Sequence, residues 1–258
     1  MSRLLCRALP SVQAWVKMPD GFEMYLDSAA PAECSLLFHG TYSASLAHFV
    51  RQRVKLGAHC LDIGANLGYY SLLMAHYAGA QGRVAAFEAN PALLDRLQAQ
   101  AVHNGFKHLE IVGKAVSDHC GQAAFYISKD AGKSSLGAEY VRDQVRQVDV
   151  DVTSVDHFIQ QAAWPRLDVV KIDIEGYDLL ALLGAKISLA AFKPLVVFEF
   201  WRSTPKEWTA AARTLLCDLG YRAYSLHARS GALTPFEWQL EAPQKQADVV
   251  LMPADAQP

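Results

Sequence analysis

Five side chains stand where a chain of alternating strands and helices would put chemistry: Asp62, Asn66, Glu88, Asp173 and Glu175. Asp62 interrupts the apolar run Cys60-Leu61-Asp62-Ile63, and the run opens into Gly64-Ala65-Asn66-Leu67-Gly68. Two glycines that close on a helix start give a loop whose backbone can approach a ligand and whose free N–H groups point at it. A dinucleotide pyrophosphate would call for G-x-G-x-x-G at this place. Here the spacing is D-x-G-x-x-x-G, with Asp62 where the first glycine would stand. A carboxylate suits an amino-acid-bearing nucleoside such as S-adenosylmethionine, which has no phosphate and carries an ammonium group. Asp62, Gly64 and Gly68 are therefore the expected cofactor residues of the first loop.

Glu88 ends a second apolar run, Arg83-Val84-Ala85-Ala86-Phe87. Its place fits the ribose-binding acid expected about 20 residues beyond a glycine loop. A third run, Asp168-Val169-Val170-Lys171-Ile172, ends on Asp173-Ile174-Glu175-Gly176. In an open α/β sheet the ligand crevice lies outside the carboxyl ends of the strands. Asp173 and Glu175 are thus the candidate catalytic carboxylates, placed where chemistry would be done. Lys171 shares a strand face with Asp173, and a buried ammonium needs a partner; Asp62 or Asp173 would serve. Sequence spacing marks no metal site. If a divalent ion assisted, Asp173, Glu175 and Glu199 would be its hard oxygen ligands.

The elements that position these residues can be followed along the chain. Residues 12–17 and 22–26 flank Pro19-Asp20-Gly21, which predicts a hairpin. Leu46, Phe49, Val50 and Val54 keep helical spacing up to Gly57. A helix follows the first strand from Tyr69, and Asn90-Pro91 should cap a second helix that runs to Gly105. Leu109–Val112 is a third strand. Ser117 and Asp118, in the turn after it, are the candidates for the adenine amine. Residues 122–128 and 147–152 alternate and predict an antiparallel insertion, joined by a polar segment at 129–137 that lies either near the acceptor or in solvent. Ser154 caps the helix before the Asp168 strand. Leu195–Phe200, Tyr221–Leu226 and Val249–Met252 complete the strands. The predicted fold is a doubly wound, mostly parallel seven-stranded sheet. Residues 1–56 add a hairpin and helix, and 57–258 form the main domain.

The set DIGANLGYYSL, AFEANP, KIDIEG and VVFEF resembles the FkbM family of class I S-adenosylmethionine-dependent methyltransferases, from about Gly57 to about Phe200. Such a resemblance implies O-methylation of a hydroxyl on a sugar, glycolipid or natural product. It also implies cofactor roles for Asp62, Gly64, Asn66, Gly68 and Glu88, and a transfer site at Asp173 and Glu175. The chain departs from the family pattern at Ala89, where a proline is usual, and at Asp178, where a glutamate is usual.

Bulk properties narrow the classes further. With 258 residues, 52% hydrophobic and 19% charged, the chain can bury one sizeable core. A net charge of -2 offers no basic field for nucleic-acid phosphates. Asp173-Ile174-Glu175-Gly176 also lacks the Pro-Pro-aromatic element that grips a flipped base. No apolar run approaches the roughly 18 residues of a membrane span. Five scattered cysteines without C-x-x-C spacing read as thiols in a reducing compartment, and the cytoplasm is the expected location. Two other classes share the fold: an NAD-dependent oxidoreductase, which would want the missing glycine, and a non-catalytic binding protein, which would be free to lose Asp62 and Glu88. Acceptor identity and oligomeric state stay open.

Overall fold

The computed structural model describes residues 12–129, 131–240 and 245–256. It opens on the expected hairpin, β1 (Gln13–Lys17) and β2 (Glu23–Asp27), with Trp15 opposite Tyr25. Helix α1 (Pro31–His39) was not expected; Pro31 pre-sets its first turn and Gly40 closes it in the left-handed region. Helix α2 (Ala44–Arg53) is the expected one, capped by the Ser43 hydroxyl, which accepts from the Leu46 N–H. Long-range bonds tie this N-terminal part to the rest of the chain. Asn104 Oδ1 accepts from the Glu23 N–H at 2.7 Å, and Arg51 forms a two-pronged pair with Asp20 at 2.6 and 2.7 Å. Met18, Phe22, Met24 and Leu26 of the hairpin join one hydrophobic cluster with Leu72 and Leu73.

The main sheet starts with β3 (His59–Ile63), followed by α3 (Tyr69–Ala78), β4 (Arg83–Phe87), α4 (Pro91–His103) and β5 (Leu109–Val112). Then come β6 (Ala115–Val116), β7 (Gly121–Ser128) and β8 (Gln144–Thr153), which form a separate three-stranded sheet. The expected insertion is therefore present, and Ala115-Val116 is its edge strand rather than a simple turn. The chain returns through α5 (Val155–Gln161) to β9 (Val169–Ile172), α6 (Asp178–Leu183), α7 (Lys186–Phe192), β10 (Leu195–Trp201) and α8 (Lys206–Asp218). It ends with β11 (Tyr221–Leu226), β12 (Leu233–Pro235) and β13 (Gln246–Pro253).

The main sheet has the order β12-β11-β13-β10-β9-β3-β4-β5. Strands β5, β4, β3, β9 and β10 are parallel, and β13 runs antiparallel between β10 and β11. Eight strands are present instead of seven because Leu233–Pro235, inside what reads as a polar loop, pairs with the free edge of β11. Alternate residues feed two cores. Cys60, Val84 and Ala86 face the α3 and α4 side, whereas Leu61, Ile63, Ala85 and Phe87 face α6 and α8. Such burial on both faces explains the near-continuous apolar strands. Strand β3 leads outward through β4 and β5, and the chain re-enters on its other side as β9. This reversal is the switch point at which open α/β sheets bind ligands.

The reading of five thiols needs one correction. Cys60, Cys120 and Cys217 are free, but Cys34 is disulfide-bonded. No helix among the described residues is long and apolar enough to cross a membrane.

Candidate active site

At the switch point the tips of β3 and β9 nearly touch. Gly64 has φ +81°, and a Cβ there would lie 1.9 Å from the Asp173 carbonyl oxygen. The glycine is required by this approach of protein to protein as much as by any ligand. Beside it, the Asp173 N–H donates to the Ile63 carbonyl at 2.9 Å. Gly68 sits under Leu97, whose Cδ2 would meet a Cβ at 2.6 Å, so the start of α3 packs tightly on α4. Asn66 takes a left-handed φ of 50°, and its N–H donates to Glu88 Oε2 at 2.7 Å. Its own Oδ1 is buried without a hydrogen-bond partner.

Glu88 is buried at the end of β4. Its other oxygen accepts from the Asn90 N–H at 2.7 Å. A carboxylate has about four acceptor sites, so two remain for a ligand. Burial pushes its pKa up to about 7, against the two backbone donors that lower it.

Asp62 is 1% exposed and lies beneath this surface. The Ser71 hydroxyl, one helix turn into α3, donates to it at 2.5 Å, and Lys171 Nζ lies 3.3 Å from its other oxygen. Asp62 and Lys171 are register partners on β3 and β9. Lys171, also buried, reaches Asp173 at 3.5 Å and lies over the Tyr70 ring at 5.1 Å. Burial alone would lower the ammonium pKa, but Asp62 and Asp173 hold it above its ordinary value. Both partners expected for the lysine are engaged at once.

Two clefts open on either side of the Gly64–Asp173 contact. The inner one is lined by Glu88, Phe87, Val116, Phe125 and Leu136. An apolar wall with a few placed polar groups is the usual make-up of a small-molecule site. The outer one is lined by Tyr42, Tyr70, Lys171, Glu199, His227 and Asp248 among others. Gly64, Asn66, Gly132, Asp173 and Glu175 line both, and so form a neck between them.

The structure brings Gly64, Asn66, Glu88, Asp173 and Glu175 together around this neck. Asp62 and Gly68 support it from below, and neither lines a cleft. Ser117 and Asp118 line neither cleft as well. Ser117 is buried with its hydroxyl on Asp118, and Asp118 pairs with His119 at 2.9 Å, which holds its carboxyl below the usual range. Ala115 and Val116, just before them, reach the inner cleft instead. The 129–137 segment folds over the inner cleft through Gly132, Ser134 and Leu136, and Ser135 donates to the Glu175 carbonyl at 2.9 Å. Helix α2 borders the outer cleft through Leu46, not the inner one.

Of the acids on the outer side, Asp178 and Glu199 stand out in the sequence and Asp248 escapes it. Asp178 is fully buried and accepts from the Gly176 and Glu199 N–H groups at 3.2 and 3.3 Å, tying the turn after β9 to β10. Burial and then the Asp173 charge push its pKa up to about 7. Asp248 is pushed up to about 6 by burial, and Glu199 to about 9 by burial and then by Asp173. A lone acid in the apolar run of β13 was the available signal for Asp248. Among the described residues no group of three or more His, Cys, Asp or Glu is arranged to hold a metal ion.

The strand order and the reversed β13, with an acid at the end of the second core strand, define a class I methyltransferase fold. The family model described as "Methyltransferase FkbM domain" matches residues 62–223, and the chain belongs to that family. Solved structures similar to this chain include a methyltransferase FkbM from Methylobacillus flagellatus, at 14% identity and a TM-score of 0.47, with 86% of this chain and 54% of that one covered. An O-methyltransferase from Bacillus cereus in complex with SAH has 13% identity and a TM-score of 0.47, over 81% and 80% of the two chains. A precorrin-6y C5,15-methyltransferase from Geobacter metallireducens has 12% identity and a TM-score of 0.45, over 80% and 88%. No curated protein sequence matches the chain.

Proposed function

We propose that the chain O-methylates a hydroxyl of a sugar, glycolipid or natural-product acceptor, with the donor in the inner cleft and the acceptor in the outer one. The observation that carries this reading is the shared neck: two clefts meet at Asp173 and Glu175. S-adenosylmethionine supplies an already activated methyl group, so the protein's part is mainly to align donor and acceptor and to remove one proton.

In this reading Glu88 accepts from the ribose hydroxyls with its two remaining acceptor sites. Asn66 Oδ1, buried without a partner, accepts from a donor-bearing group of the cofactor. Ser117 and Asp118 stand too far back to meet the adenine themselves and act by fixing Ala115 and Val116 against it. Asp62 acts through Lys171, holding the ammonium so that Asp173 keeps its orientation at the neck. Asp173, which is half exposed, or Glu175 takes the hydroxyl proton. Glu175 is held at φ +54°, a conformation costly for a glutamate and concentrated at functional turns. Ser135 fixes its carbonyl there.

The test is transfer of labelled methyl from S-adenosylmethionine to a panel of hydroxylated acceptors, with NMR of the product. An O-methyl ether is the expected product. An N-methyl or C-methyl product, with hydroxyls untouched, would overturn the O-transfer reading and leave the family assignment standing.

A further inference from the structure

The outer cleft carries a feature that methylation of a plain alcohol does not require. Glu199 on β10 and Asp248 on β13 are direct register partners in an antiparallel pair, and both line the cleft. Like charges directly opposed across a strand pair are destabilising. Neither acid has an ion-pair partner among the described residues. Glu199 accepts from Trp201 Nε1 at 2.6 Å and from Gln246 Nε2 at 2.5 Å, both neutral donors. Of the other charged or titratable groups at the cleft, Lys171 is engaged with Asp62 and Asp173, Lys133 lines the cleft and has an interaction of its own, His227 bonds the Thr234 hydroxyl, and Asp178 adds a further acid behind β10. A second, independent observation lies in the same cleft. The Tyr70 hydroxyl is buried and has no hydrogen-bond partner, with the residue only 7% exposed.

We propose that the acceptor carries a protonated amine beside its hydroxyls, with the ammonium seated between Glu199 and Asp248 and another polar atom of the acceptor meeting the Tyr70 hydroxyl. An ammonium has three donors and no acceptor, which suits two facing carboxyls. A neutral sugar would bring no cation to the two acids, and an anionic one would meet Asp173, Glu175 and Asp248 along the same cleft.

This inference rests on the methyltransferase reading of the two clefts, and calorimetry separates the two. The full chain, saturated with S-adenosylhomocysteine, is titrated at pH 7 with glucosamine, galactosamine and mannosamine, each beside its parent hexose and its N-acetyl derivative. At least one amine should bind about tenfold or more tighter than both counterparts. The Glu199→Gln/Asp248→Asn double variant should lose the preference while it still binds S-adenosylhomocysteine. If the double variant loses that binding too, Asp248→Asn alone carries the same expectation. Amines that bind no better than their N-acetyl forms, or a preference that survives in the variants, overturn the proposal. Failure of the wild type to bind S-adenosylhomocysteine overturns the reading beneath it, and the proposal with it.

Discussion

Replacing Gly64 with alanine tests whether the neck depends on the contact between β3 and β9. The new Cβ would sit 1.9 Å from the Asp173 carbonyl oxygen and 2.9 Å from its carbon. Such atoms tolerate an approach of no less than 3.0 Å, so the strand tips must part by about 1 Å. Parting strains the Asp173 N–H to Ile63 hydrogen bond, worth about 1 kcal/mol, and overpacks the site by about 1–3 kcal/mol. The positive φ adds about 1–2 kcal/mol for any residue with a side chain. Gly57 is the matched control: its φ is +79°, a Cβ added there would meet nothing within 4 Å, and it precedes the opposite end of β3. Gly57→Ala should therefore lower Tm by about 2–8 °C, and Gly64→Ala by about 4–16 °C more, at about 2–4 °C per kcal/mol. Calorimetric titration should also give Gly64→Ala at least about tenfold weaker S-adenosylmethionine binding, with Gly57→Ala unchanged. Equal Tm and equal affinity for the two variants would refute the argument that this glycine is there for the close approach.

Three further outcomes follow from the site. Glu88 is ionised only above about pH 7, so S-adenosylmethionine binding should weaken about tenfold from pH 8 to pH 6, as its ionised fraction falls from about 0.9 to about 0.1; Glu88→Gln should flatten that profile, and an unchanged slope would remove the ribose role. Lys171→Met leaves Asp62 buried without its cation and should cost roughly 3–5 kcal/mol in denaturant unfolding; a loss below about 1 kcal/mol would mean that the pair is dispensable. Of Asp173→Asn and Glu175→Gln, the one that removes the base should slow turnover by about 10²–10⁴-fold with S-adenosylmethionine affinity little changed, and normal turnover in both would sink the base assignment.

Local signals in the sequence carried much of this fold. Arg83–Phe87 and Leu109–Val112 are strands over those same bounds, and Asn90 caps α4 with its side chain on the Ala92 N–H, because apolar runs and caps are properties of neighbours in the chain. Helices α1 and α7 were missed because they are short and weakly patterned, with little for a helical period to register. The two-residue strand β6 and the three-residue strand β12 owe their existence to a partner already in place. At the site, the glycines and acids announced themselves, but their division of labour did not. Asp62 meets the Ser71 hydroxyl and the Lys171 ammonium from two other elements, contacts that its own stretch of sequence does not announce. The opposition of Glu199 and Asp248 depends on a strand register set by residues far apart in the chain.

Whether the inner cleft is a donor site is decided by calorimetric titration of the full chain with S-adenosylmethionine, S-adenosylhomocysteine and NAD. The geometry around Glu88 and Asn66 predicts that the first two bind at one site per chain and that NAD does not. Binding of NAD alone, or of neither adenosyl compound, would contradict it.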